Sequence, residues 1–197
     1  VESIPYETTG GLSLVLPAEY TFRSSDAYAY APYRTYDAVE TERPGTTGTS
    51  VFKSVNYTGN GPSMLIKDID SGMGAYSDFV VKRLKKLPKE LRGSELVRIP
   101  SKDGKLWAND LLVVTAAEDM TLYVAHHDKL KNKPLWLNEF KKTDQSLQVS
   151  GCKGAYNVFK RDVKKGQTLS FSGNLDQDEA QTIKGPVYNF ILFGKQK

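Results

Sequence analysis

The chain has 197 residues, 39% hydrophobic and 25% charged, and its 27 lysines and arginines against 23 aspartates and glutamates give a formal charge of +4. That is the balance of an ordinary globular protein, and the length suffices for one well-buried core. No apolar run approaches the roughly 18 residues of a membrane-spanning helix, and a single cysteine, Cys152, excludes an internal disulfide.

With 11 tyrosines, 8 phenylalanines and 16 glycines, the chain favours strands and turns over helices. Residues 1–9 are polar and are expected to fray. Leu12–Leu16 is a short apolar strand closed by Pro17. Asp26–Tyr36 alternates alanine with Tyr28 and Tyr30 and reads as a strand with an aromatic face. Thr41–Thr49, with Pro44, Gly45 and Gly48, is a loop. Ser50–Tyr57 and Ser63–Ile69 are strands separated by Gly59-Asn60-Gly61-Pro62.

Ala75–Leu84 and Ser94–Ile99 are expected to be strands, joined by a lysine-rich segment with one helical turn ending at Gly93. Ser101–Lys105 is a turn, and Leu106–Ala116 is strand, loop and strand. In Met120–Ala125 the side chains of Met120, Leu122 and Val124 alternate with those of Thr121, Tyr123 and Ala125, the period of a core strand. The strand stops at His126-His127-Asp128 and a lysine-rich turn, after which Pro134 fixes the backbone and Leu135-Trp136-Leu137 return apolar mass to the core. Tyr156–Asp162, Gln167–Ser172 and Val187–Phe193 complete the strands, the last apolar on both faces and hence central. Strands roughly 8–12 residues apart with turn residues between them predict an all-β chain. It is expected to fold as one antiparallel β-sandwich domain over 1–197, of jelly-roll or Greek-key type, with Leu122, Val124, Leu169, Phe171, Phe190 and Leu192 buried.

Particular motifs carry a resemblance. Leu87-Pro88 and Leu91-Arg92-Gly93-Ser94, then Tyr123-Val124-Ala125 ending in Asp128, Pro134-Leu135-Trp136-Leu137, Phe140, Lys165-Gly166-Gln167-Thr168-Leu169 and Gly173-Asn174 follow one another between Lys82 and Asn174. In this arrangement the chain resembles the β-sandwich accessory modules appended to secreted bacterial polysaccharide lyases and glycosidases, notably pectin-degrading ones. The resemblance implies a non-catalytic carbohydrate-binding module for plant or algal polysaccharide, secreted or at the cell surface, with a catalytic domain as partner. A small polysaccharide-acting enzyme and a structural spacer without ligand are the alternatives.

The residues themselves supply little chemistry. Adjacent histidines on a strand point to opposite faces and do not ligate one metal together. No nucleophile motif surrounds a serine or Cys152, and the carboxylates are scattered through turns. No catalytic residues and no cofactor are therefore expected, though Asp68–Gly72 and the cluster Asp176, Asp178 and Glu179 are acidic loops of the kind that hold a structural calcium. Sugar contacts are expected at Trp107 and Trp136, with Tyr33 and Tyr36 as further aromatic platforms and Arg34 and Lys105 as basic partners, because pyranose rings present apolar C–H faces to aromatic rings. Trp136, between two leucines, has a second reading as a core plug. The lysine excess is spread over loops, where it solvates strand ends or forms a basic face for an acidic glycan; no motif of a nucleic-acid binder accompanies it. The start at Val1 is that of a mature secreted protein or of an excised piece.

Overall fold

The computed structural model describes residues 4–7, 13–16, 49–79, 81–175 and 183–197, and divides into two compact units, 1–34 and 35–197. In the first, β1 (Ile4–Glu7) pairs antiparallel with β2 (Ser13–Leu16), Ile4 lying opposite Leu16. The strand expected over Asp26–Tyr36 lies outside the described residues.

The second unit contains β3 (Phe52–Tyr57), β4 (Met64–Ile66), β5 (Leu84–Lys85), β6 (Glu95–Arg98), β7 (Leu112–Ala116), β8 (Met120–His127), β9 (Lys141–Val149), β10 (Tyr156–Val163), β11 (Thr168–Phe171) and β12 (Ile191–Gln196). Seven of them form one sheet in the order β4-β6-β12-β8-β10-β9-β5, and three form a second in the order β11-β7-β3. Every pairing is antiparallel. The fold is an all-β sandwich whose sheets curl into a half-barrel. Helix among the described residues is confined to short 3-10 turns at Lys89–Leu91, Ser101–Lys105 and Leu135–Glu139, each entered through a proline.

Strand β8 is where the alternation of the sequence becomes architecture. Met120, Leu122 and Val124 enter an apolar cluster shared with Val55, Val114 and Phe171 of the three-stranded sheet. Tyr123 and Ala125 enter a second cluster on the opposite face. The larger sheet is thus covered on both sides, and β12 lies beside β8 at its centre, as its two apolar faces require. Of the residues expected in the core, Leu122, Val124, Phe171, Phe190 and Leu192 are buried, while Leu169 is half-buried against it. Gly194 of β12 allows the close approach of the layers: a Cβ there would lie 2.7 Å from side-chain atoms of Phe52 and Val51.

The second cover is not the strand expected over Ala75–Leu84. That segment is an irregular hairpin, closed by Gly72 N–H to Leu84 O at 2.8 Å, Leu84 N–H to Met73 O at 2.8 Å and Ala75 N–H to Lys82 O at 2.8 Å. Ala75, Tyr76 and Leu84 pack onto the sheet with Leu87 and Leu91, while Phe79 and Val81 at its tip are exposed. The Tyr76 hydroxyl donates to Asn189 O at 2.7 Å and meets the Tyr156 hydroxyl at 2.8 Å. Leu106–Ala116 likewise supplies one strand, β7, because the preceding residues continue from the 3-10 turn Ser101–Lys105 as loop. That turn is anchored by Asp103, whose carboxylate accepts from the Tyr57 hydroxyl and the Asn60 N–H, both at 2.7 Å. Strand β9 had no counterpart in the sequence reading. Its first half is solvent-facing and polar, and only Leu147 and Val149 turn inward.

Burial holds the His126 imidazole at about 4, below its ordinary 6.5, so it is neutral in the folded state near neutrality. The unfolded chain binds a proton there first, so this contribution is fully present above pH 6.5 and is lost as pH falls towards 4. Acidification through that window should lower stability by up to about 3 kcal/mol. Melting temperature against pH should show this loss, and His126→Phe should flatten it.

Candidate functional site

Strand β8 ends in the two histidines, and the pleat sends them to opposite faces as the sequence requires. His126 donates its Nε2–H to the Asn174 carbonyl at 3.4 Å. His127 packs edge-on against Tyr156 with ring centroids 4.8 Å apart. Its Nδ1 accepts from the Lys129 N–H at 3.2 Å and lies 3.4 Å from Asp128 Oδ1, and its Nε2 is shut away from solvent. Burial lowers the His127 imidazole against the pull of Asp128. Each ring thus has one nitrogen committed to the backbone, an arrangement that supports the strand end.

Beside His127 opens a cleft of about 610 Å³. Its wall comes from the turn after β8, through Lys129 and Leu130, and from the β9–β10 turn, through Gly151 and Lys153. The segment entering β12 adds Lys184, Val187 and Tyr188. Asp128 clasps the first two walls together, its N–H donating to Ala155 O at 2.9 Å and its carboxylate accepting the Ala155 N–H at 3.0 Å. Gly154, at φ +114°, is needed at this seam: a Cβ would lie 2.6 Å from Asp128 Oδ1 and 2.8 Å from His127 Cε1. Beneath, Leu130, Leu175 and Val187 form a small apolar cluster of their own.

The cleft is electropositive. Lys129, Lys153 and Lys184 are exposed, and none has an acidic partner among the described residues. The Lys82 ammonium adds a further cation, 3.9 Å from the centroid of Tyr188 and 3.8 Å from Cys152 Sγ. Burial pushes the Cys152 thiol up, the opposite of what an activated nucleophile needs.

The residues expected to contact sugar are divided. Trp107 is 38% exposed, in the loop leading to β7. Lys105, also exposed, donates its Nζ to the Ile183 carbonyl at 2.9 Å, and Ile183 is part of the cleft wall. Trp136 packs edge-on against Phe140, Phe171 and Phe190 and donates its indole N–H to Gly173 O at 2.9 Å. It is only half-buried, and its outer part lines a shallow pocket of about 310 Å³ with the Arg161–Glu139 ion pair. Tyr33, Arg34 and Tyr36 lie outside the described residues. The cleft lysines and Tyr188 were absent from the sequence-based set. They come from three separate turns, so only a contact map between turns would have grouped them.

Among the described residues, no three or more His, Cys, Asp or Glu side chains converge as a metal site. In the acidic loop Asp68–Gly72, Asp70 accepts the Ser71 N–H at 2.7 Å and approaches Arg92 at 3.5 Å, a turn with an ion pair. The second acidic loop, at Asp176, Asp178 and Glu179, lies outside the described residues. No helix among the described residues is long and apolar enough to cross a membrane.

No family model matches the chain. A β-glucuronidase of Formosa agariphila is 30% identical over 186 residues, which are 93% of this chain and 18% of that protein. The solved structure of a β-glucuronidase from glycoside hydrolase family 2 superposes over 99% of the chain with a TM-score of 0.67 and 23% identity, and 21% of its own length is covered. The chain therefore spans about a fifth of the proteins it matches. The β-sandwich it folds into is similar to one accessory-sized segment of a glycosidase, the resemblance already carried by its motifs.

Proposed function

We propose that residues 1–197 act as one non-catalytic carbohydrate-binding module of a larger, secreted or cell-surface polysaccharide-degrading enzyme. The observation that carries this reading is the cleft beside His127: concave, floored by apolar side chains, edged by Tyr188 and ringed by lysines with hydroxyl- and carboxylate-binding capacity. Glycoside hydrolysis commonly requires two carboxyl groups about 5–9.5 Å apart across the scissile bond. The described cleft wall contributes none, and both histidine rings are committed to the fold. Trp107 and Lys105 are proposed as an outer contact, reached through the Lys105 bond to Ile183. Similarity to segments of β-glucuronidases supports a polysaccharide ligand and a catalytic domain in the same polypeptide.

Affinity electrophoresis through gels containing neutral and uronate polysaccharides should retard the chain, while incubation with the same polymers should release neither reducing ends nor unsaturated products. Turnover abolished by His127→Ala would establish an enzyme instead, and absence of retardation in every gel would favour a spacer.

The two tryptophans should separate. Trp107→Ala should leave the melting temperature nearly unchanged and weaken binding, because its ring is exposed. Trp136→Ala should cost about 3 kcal/mol by removing packing from three phenylalanines and orphaning the Gly173 carbonyl. Thermal melts and calorimetry on both variants check this.

A further inference from the structure

We infer that the cleft beside His127 selects the anionic group of a glycan, a uronate carboxylate or a sulfate ester, and that Lys129, Lys153 and Lys184 are the residues that recognise it. The inference rests on the proposed reading of the chain as a glycan-binding module and fixes the class of sugar at that site.

Three exposed lysines from three separate turns converge on a single concavity, and none is paired with a carboxylate among the described residues. Elsewhere on the same unit lysines do find partners: Lys164 meets Asp119 at 2.8 Å and Lys197 meets Asp162 at 2.7 Å. Lys82 stands beside Tyr188 as a fourth cation, 3.9 Å from its ring centroid. Asp128, beside the cleft, already accepts the Ala155 N–H. Gathering like charges in one place is unfavourable by itself, and a bound anion relieves it, since charge-assisted hydrogen bonds are stronger than neutral ones. The floor suits a sugar more than a bare ion. Leu130 and Val187 are apolar and Tyr188 offers a ring, so a pyranose C–H face finds contact while its charged substituent reaches the lysines. A neutral sugar would gain the floor and leave the cations uncompensated.

The test is isothermal titration of the chain with three oligosaccharides of equal length: oligogalacturonate, the same oligomer with its carboxyls reduced to alcohols, and a sulfated neutral oligomer. Either or both anionic ligands should bind at least about tenfold tighter than the neutral one, with an affinity that falls from low to physiological ionic strength, and which anion binds tighter identifies the source. Lys153→Gln combined with Lys184→Gln should lower anion affinity about tenfold while leaving the melting temperature unchanged, because both side chains are exposed. Lys164→Gln, a lysine outside the cleft, should leave affinity intact. Equal affinity for the neutral oligomer and both anionic ones, or wild-type anion affinity in the double variant, would overturn the inference while leaving a glycan-binding module. No binding of any of the three would overturn the module reading with it.

Discussion

Strand β8 has buried side chains on both faces, and that constraint organises the unit from residue 49 onward. A strand with one wet face needs one covering layer; a strand carrying Leu122 and Val124 on one side and Tyr123 and Ala125 on the other needs two. Each fully buried side chain of the leucine or valine class is worth about 1.5–3 kcal/mol relative to exposure. The three-stranded sheet supplies the first cover. The irregular hairpin around Ala75–Leu84 supplies the second, although little of it is regular strand. Where β8 leaves this double cover the side chains turn polar, and His126, His127 and Asp128 each find a backbone partner. The strand end is therefore rigid, and the cleft is built against it.

Rigidity at one wall is what a binding cleft with lysines in its other walls requires. Lysine side chains are long and flexible, so their charge is placed by the backbones that carry them. Here those backbones are clasped by Asp128 to Ala155 and brought close by Gly154, which no other residue could replace without a clash. The apolar cluster of Leu130, Leu175 and Val187 ties the third wall to the same floor. The fold thus delivers cations from three turns to one place.

Periodicity made the core legible in the sequence. The alternation in Met120–Ala125 placed β8, the apolar run closing in Phe193 reached into β12, and the proline before Leu135-Trp136-Leu137 marked where Leu137 returns to the core, because each signal is local. Strand β9 was illegible for the converse reason: Lys141, Lys142, Asp144 and Gln145 carry no hydrophobic alternation, and the strand exists because β10 offers it an edge. Ala75–Leu84 was expected to be a strand and the turn within it was missed, since the bonds closing it depend on the sheet beneath. The cleft was illegible in principle. Lys129, Lys153 and Lys184 each look like a solvated turn residue, and only the pairing of β8 with β10 and β12 puts their turns side by side.

On the proposed reading, this meeting of turns is where the chain takes its ligand. Backbone amide shifts recorded while the labelled chain is titrated with oligogalacturonate test it most directly. The largest perturbations should fall on Lys129, Leu130, Gly151, Lys153, Lys184 and Tyr188, with those of β3 and β7 unmoved. Perturbations centred on the Trp136 and Arg161 pocket, with the cleft residues silent, would contradict it.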